Sequence, residues 1–254
     1  MRQAFAQSMM GVLMLVLVSI LSSQAGKIVM TQEVMAESVK KAKAVIVLDP
    51  GHGGDDPGKV GVDGKLEKDI NLQIVLKLKH YLEQADIQVV LTRDSDAGLY
   101  KASDTQKKLA DMKERCRIMN ETNPDLVVSI HQNSYHQEGI SGAQVFYYKK
   151  SEKGKKLAEL IQKRFDYVLG EENNRRGVKA NDSYYLLLHT KPPIALVECG
   201  FLSNWAESAK LGNEEYQDRI AWAVHMGILE YLNREKIQIF QPGSEPEKME
   251  TAGQ

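Results

Sequence analysis

The stretch Ala44–Gly54, AVIVLDPGHGG, decides how the chain is read. AVIVL is a short, β-branched apolar run that stops at Asp49 and Pro50, the pattern of a buried strand feeding a loop. The loop continues as DPGHGGDDPGKVGVDG, whose Gly, Pro and Asp content excludes helix or sheet interior. A helix is predicted over Glu67–Gln84, where Ile70, Ile74, Leu78 and Leu82 recur every four residues with charges between them. IQVVLT (87–92) then reads as a second strand.

The alternation continues outward. A helix over Thr105–Asn120 carries Leu109, Met112, Cys116 and Met119 on one face, and DLVVSI follows as a strand ending at His131. AQVFYY gives a fourth strand, and Leu157, Leu160, Ile161, Phe165 and Val168 mark a third long helix. SYYLLL and PIALVE read as two more strands before a closing helix over Glu214–Asn233, with Tyr216, Ile220, Val224 and Tyr231 inward. Strands alternating with helices predict an α/β fold: a mainly parallel six-stranded sheet with helices on both faces, as one catalytic domain over 44–240. IQIF after the last helix could pack on the domain surface. The tail 241–254 is polar, has nothing to bury and is expected to be disordered.

The N-terminus differs from the rest. Arg2 precedes the apolar run MMGVLMLVLVSIL (Met9–Leu21), followed by SSQAG, which is the layout of a secretory signal over 1–26 that offers a small-residue cleavage site after Ala25. Extended to Val29, the same run could be an uncleaved membrane anchor, and a buried core helix is the third reading. Residues 27–43 read as a polar linker. Either export reading places the domain outside the cytoplasmic membrane. Lys and Arg number 33 against 34 Asp and Glu, so charge gives no reason to expect a nucleic-acid partner. Cys116 and Cys199 are too few for a disulfide framework and read as small buried apolar residues. A nucleophilic Cys199 is disfavoured because burial raises a thiol pKa.

In an open α/β sheet, ligands bind outside the carboxyl ends of the strands. His52 follows the first strand, His131 follows VVSI, Glu198 ends PIALVE, and Glu67 opens the first helix. Two imidazoles and one carboxylate form a known ligand set for catalytic zinc, with the fourth position left to water, and His52, Glu67 and His131 fit it. Glu198 fits the second carboxylate that moves the proton during attack. Taken singly, each residue has a plainer role. A histidine in a glycine-rich loop is commonly just solvated, and Glu67 is an acid favoured at a helix start. Glu198 is harder to dismiss, because a buried carboxylate needs a partner. His80 and His225 lie in amphipathic helices and read as structural, whereas His136 and His189 could reach the cleft.

The stretches LDPGHGG, EKDINL, LTRDSD, VVSIHQNS, SGAQVFYY and ALVECGFLSN occur in this order between Val45 and Leu232. In order and spacing the chain resembles the zinc-dependent N-acetylmuramoyl-L-alanine amidases of the type-3 class. The resemblance implies a twisted six-stranded sheet and Zn2+ held by His52, Glu67 and His131. It also implies Glu198 as the catalytic residue and, as substrate, the amide between N-acetylmuramic acid and L-alanine in peptidoglycan. Gln132 and Ser134 depart from the family's usual HANA. Ser134–Ser141 is too short for the regulatory helix that some members insert there, so control falls to location, a regulatory protein partner or metal supply. The N-terminal apolar segment and the stretch SDAGLYKASDTQKKLADMKERCRIMN (95–120) are most similar to the spore-cortex branch, which strips stem peptides so that muramic-δ-lactam can form. Two other functions share these residues: a zinc peptidase acting on stem peptides, and a non-catalytic wall-binding domain.

Overall fold

The computed structural model describes residues 43–239, together with Met14, Ser19 and Ser22–Gln24, which are helical. The chain divides into two compact units, Met1–Lys43 and Ala44–Gln254. Apart from those five residues and Lys43, the predicted export segment, the linker and the tail 241–254 lie outside the described residues. Among the described residues, no helix is long and apolar enough to cross a membrane.

Six strands form one sheet: β1 (Val45–Pro50), β2 (Gln88–Leu91), β3 (Leu126–Asn133), β4 (Gln144–Tyr148), β5 (Lys179–Asn181) and β6 (Ile194–Phe201). Their order is β2-β1-β3-β6-β4-β5, and every neighbouring pair is parallel except β4 with β6. The helices are α1 (Glu67–Gln84), α2 (Lys107–Thr122), α3 (Glu152–Val168), α4 (Tyr185–His189), α5 (Trp205–Leu211) and α6 (Glu214–Ile239).

Strand periodicity divides the core in two. Ile46, Leu48, Val128, Ile130, Ala195 and Val197 face α1, α3 and α6, and the larger cluster forms there. Val47, Val127, Ile194 and Leu196 point the other way, against Cys116 and Met119 of α2 and Leu186 and Leu187 of α4. Helix α1 belongs to the first layer because Ile70, Ile74, Leu78 and Leu82 are buried on one stripe, each side chain contributing about 1.5–3 kcal/mol by leaving water.

The expected α/β class, the six strands and the two helical faces match this architecture, but one strand is replaced. SYYLLL is not a strand, because Tyr185–His189 forms the short helix α4. Asn181 Oδ1 accepts from the backbone N–H groups of Ser183 and Tyr184 at 2.8 and 2.7 Å, turning the chain before the run begins. The sixth strand is instead Lys179–Asn181, a three-residue edge strand beside β4. Helix α6 continues through the residues read as a separate IQI run, and α5 was not anticipated.

Candidate active site

The chain runs from β1 out to β2 at the sheet edge and returns to β3 on the other side of β1. The boundary between β1 and β3 is therefore a topological switch point, where loops at the carboxyl ends part and leave a crevice. One sheet face changes character toward that end. Val47, Val127 and Leu196 are apolar; Asp49 and Ser129, cross-strand partners, are buried and polar; His131 and Glu198, also partners, form the next row. Just beyond that pair the β3–β6 register shifts, an irregularity often found where a strand re-aims side chains at a site.

His52, Glu67 and His131 meet here, their ligand atoms all within 4.8 Å of one another. Glu67 Oε1 is 3.2 Å from His52 Nε2 and 3.1 Å from His131 Nδ1, and it accepts from Gln132 N at 3.0 Å. Glu67 Oε2 accepts from Lys59 N at 2.7 Å. Burial alone would raise the Glu67 pKa, but the hydrogen bonds and charges of the two imidazoles outweigh it and hold the carboxyl well below its usual range. His52 is moved up: burial disfavours its charge, yet the carboxylates of Glu67 and Asp56 prevail.

Packing around these groups explains the glycine-rich loop. At Gly51 a Cβ would overlap the His131 ring. At Gly58 (φ +70°) it would fall 2.6 Å from Glu67 Oε2 and 2.7 Å from His52 Cδ2. His52 itself adopts φ 64°, a left-handed conformation that most residues avoid. It is held there from below. Arg115 donates to the carbonyls of Pro50 (2.8 Å) and His52 (2.5 Å), and Arg93 to those of Pro50 and Gly51 (both 3.0 Å). Asp49 neutralises Arg115 at 2.6 Å and also accepts from Thr92 and Ser129. Burial pushes the Asp49 carboxyl up, but Arg115 and the two hydroxyls bring it down to about 2. Asn71, fully buried, ties three segments together. It donates to Gly51 O (3.1 Å) and Glu67 Oε1 (3.4 Å) and accepts from Gln132 Nε2 (3.1 Å).

Asp49, Asn71, Arg93 and Arg115 were not singled out from sequence. Only the place of Asp49 at a strand end and of Arg115 beside the apolar stripe of α2 could have pointed to them. His136 stacks on Tyr135, and His189 packs against Tyr185; both are exposed and neither lines the cleft. His225 is buried and His80 exposed, both away from the site. Cys116 and Cys199 are buried free thiols, and burial pushes Cys199 well above the ordinary thiol range.

The donor set suits zinc: two imidazoles and a carboxylate converge, and Asp56 Oδ2 holds His52 Nδ1 at 2.9 Å, leaving Nε2 directed at the cluster. His131 Nε2 and Glu198 Oε2 are buried with no hydrogen-bond partner, as expected of groups awaiting an ion and a substrate. Burial raises Glu198 to about 7, with His131 lowering it and Glu67 raising it. The cleft above encloses about 410 Å³, with Met112, Tyr184, Leu186 and Leu196 as its apolar wall.

Residues 46–230 match the N-acetylmuramoyl-L-alanine amidase family. The germination-specific N-acetylmuramoyl-L-alanine amidase of Bacillus subtilis is 39% identical over 192 residues, 74% of this chain and 79% of the relative. The CwlD amidase of Clostridioides difficile, solved in complex with the GerS lipoprotein, superposes with a TM-score of 0.73 at 43% identity, covering 76% of this chain and all of that one. The catalytic domain of CwlV from Bacillus (Paenibacillus) polymyxa gives a TM-score of 0.66 at 32% identity, over 75% of this chain and 98% of that domain. With the family matched over most of its length, the chain belongs to the N-acetylmuramoyl-L-alanine amidases, hydrolases of peptidoglycan.

Proposed function

We propose that this protein cuts the amide between N-acetylmuramic acid and the first L-alanine of the stem in spore-cortex peptidoglycan, with zinc on His52, Glu67 and His131 and Glu198 as general acid–base. The observation that carries the proposal is the convergence of those three donors beside the unpartnered Oε2 of Glu198. When bound, zinc would supply Lewis acidity, polarising the scissile carbonyl and acidifying water. Glu198 Oε2 takes the proton of the attacking water and returns it to the alanine nitrogen as the C–N bond breaks, leaving a lactyl carboxylate and a free amine. With its pKa near 7, Glu198 exchanges a proton in both directions, and beside a dication it ionises more readily, as an acceptor must.

Similarity to the germination-specific amidase and to CwlD supports the cortex as the place of action. We infer that the segment 1–26 exports or anchors the domain 44–240. By likeness to the lipoprotein complex of CwlD, we also infer that a membrane-associated protein docks on this chain. Mass spectrometry of muropeptides after incubation with the zinc-loaded protein tests the activity. Free peptides beginning with alanine are expected; shortened stems still attached to sugar would make it a peptidase. Replacement of both His52 and His131 by Ala should abolish zinc binding. Glu198→Gln should keep zinc but lose at least roughly a hundredfold in kcat. Loss of zinc together with activity would make Glu198 a fourth ligand.

A further inference from the structure

Around the loop that carries His52, lysines are matched with carboxylates. Lys65 pairs with Asp63, Lys68 with Asp96, Lys107 with Asp55 and Lys108 with Asp56. Lys59 is different: its side chain is exposed, lines the cleft and has no carboxylate partner among the described residues. Its backbone is nevertheless fixed to the centre of the site. Lys59 N donates to Glu67 Oε2 at 2.7 Å, and Lys59 O accepts from Glu67 N at 2.9 Å. The cleft therefore holds one cation whose root is tied to a candidate metal ligand and whose ammonium makes no ion pair or hydrogen bond among the described residues. Among the acids of the cleft, Asp56 is engaged by His52 and Lys108 and Asp111 by Arg115, while Glu198 feels the charge of Lys59 without forming an ion pair with it.

This arrangement selects a substrate feature. In a stem peptide the carboxyl of the first residue, L-alanine, is locked in the next amide. The first free carboxyl belongs to the second residue, one residue or about 3.5 Å of extended chain further on. In peptidoglycans that group is either a carboxylate or its amide. We propose that Lys59 receives the α-carboxylate of the second stem residue and so favours stems in which it is free over those in which it is amidated. The proposal rests on the amidase reading above. A charge-assisted contact at an open cleft changes affinity by about three- to tenfold.

The test uses the full chain loaded with zinc and two synthetic muramoyl peptides that differ only in a free or amidated α-carboxyl at the second residue. The unmodified protein should prefer the free acid. Lys59→Ala should raise KM for the acid about three- to tenfold while kcat and zinc content hold, should leave KM for the amide in place, and Lys59→Arg should restore the preference. Equal effects on both substrates, a change confined to kcat, or no change would overturn the proposal. Calorimetric binding of the released dipeptide, with a free or amidated carboxyl, reads the same preference without turnover. If neither muramoyl peptide yields an alanine-terminated product, the amidase reading fails, while the binding difference still decides the role of Lys59.

Discussion

Asp49 and Arg115 lie under the His52 loop with 0% and 2% of their side chains exposed, whereas Asp55 and Lys107 on the outer rim of that loop are 70% and 44% exposed. Both pairs are 2.6 Å long. Their lengths therefore say nothing about their roles. The lower pair is shielded from water and salt and surrounded by the carbonyls it orders, so removing one partner strands a charge. The upper pair competes with solvent, loses side-chain freedom and is screened. Ion-pair geometry becomes informative only when read together with burial and with the backbone each partner holds.

The comparison can be broken at four points. Arg115→Met leaves Asp49 buried without its counter-charge and should cost about 3–5 kcal/mol in denaturant unfolding; a loss below about 1 kcal/mol would show that the lower layer is no different from the rim. Asn71→Ala removes the tie between the Gly51, Glu67 and Gln132 segments and should weaken zinc affinity roughly 10- to 100-fold in a chelator competition, with secondary structure retained. Unchanged affinity would reduce Asn71 to a packing residue.

The third point is acid stability. Because Asp49 titrates at about 2 in the folded protein and at about 4 unfolded, its contribution is complete above pH 4 and is lost as pH falls toward 2, about 2 kcal/mol in all. Unfolding curves across that window should show the loss, and the Arg115→Met variant should show less of it. Least affected is the outer rim: Lys107→Ala should leave Tm unchanged at 0.15 M salt, and a clear drop would mean the rim is structural.

How far the sequence could be read follows the same division. The convergence of His52, Glu67, His131 and Glu198 was legible because each is of a type that can bind metal or carry a proton and stands where a strand ends or a helix begins. Arg93, Arg115 and Asn71 were not. They sit among ordinary charged and polar positions, and only the packing of β2 and the two helices α1 and α2 around β1 brings them under the loop. The strand error has a similar origin. SYYLLL is apolar and short, a length at which periodicity cannot separate strand from buried helix, while the real edge strand, Lys-Ala-Asn, carries no apolar signal. Six strands were expected and six are present among the described residues, although one of the expected members is wrong.

The central place of β6 bears on how the molecule comes into being. β6 is the last strand among the described residues, yet it lies between β3 and β4, so a nascent chain that ends before Ile194 holds two separate pieces of sheet, β2-β1-β3 and β4-β5. Joining them requires a late strand to enter between two earlier ones, a non-local and intrinsically slow step. Because β6 also brings Glu198 opposite His131, the proposed catalytic arrangement is completed by the same event that closes the sheet. A truncated or half-folded chain could gather His52, Glu67 and His131, but it would lack the carboxylate proposed to move the proton.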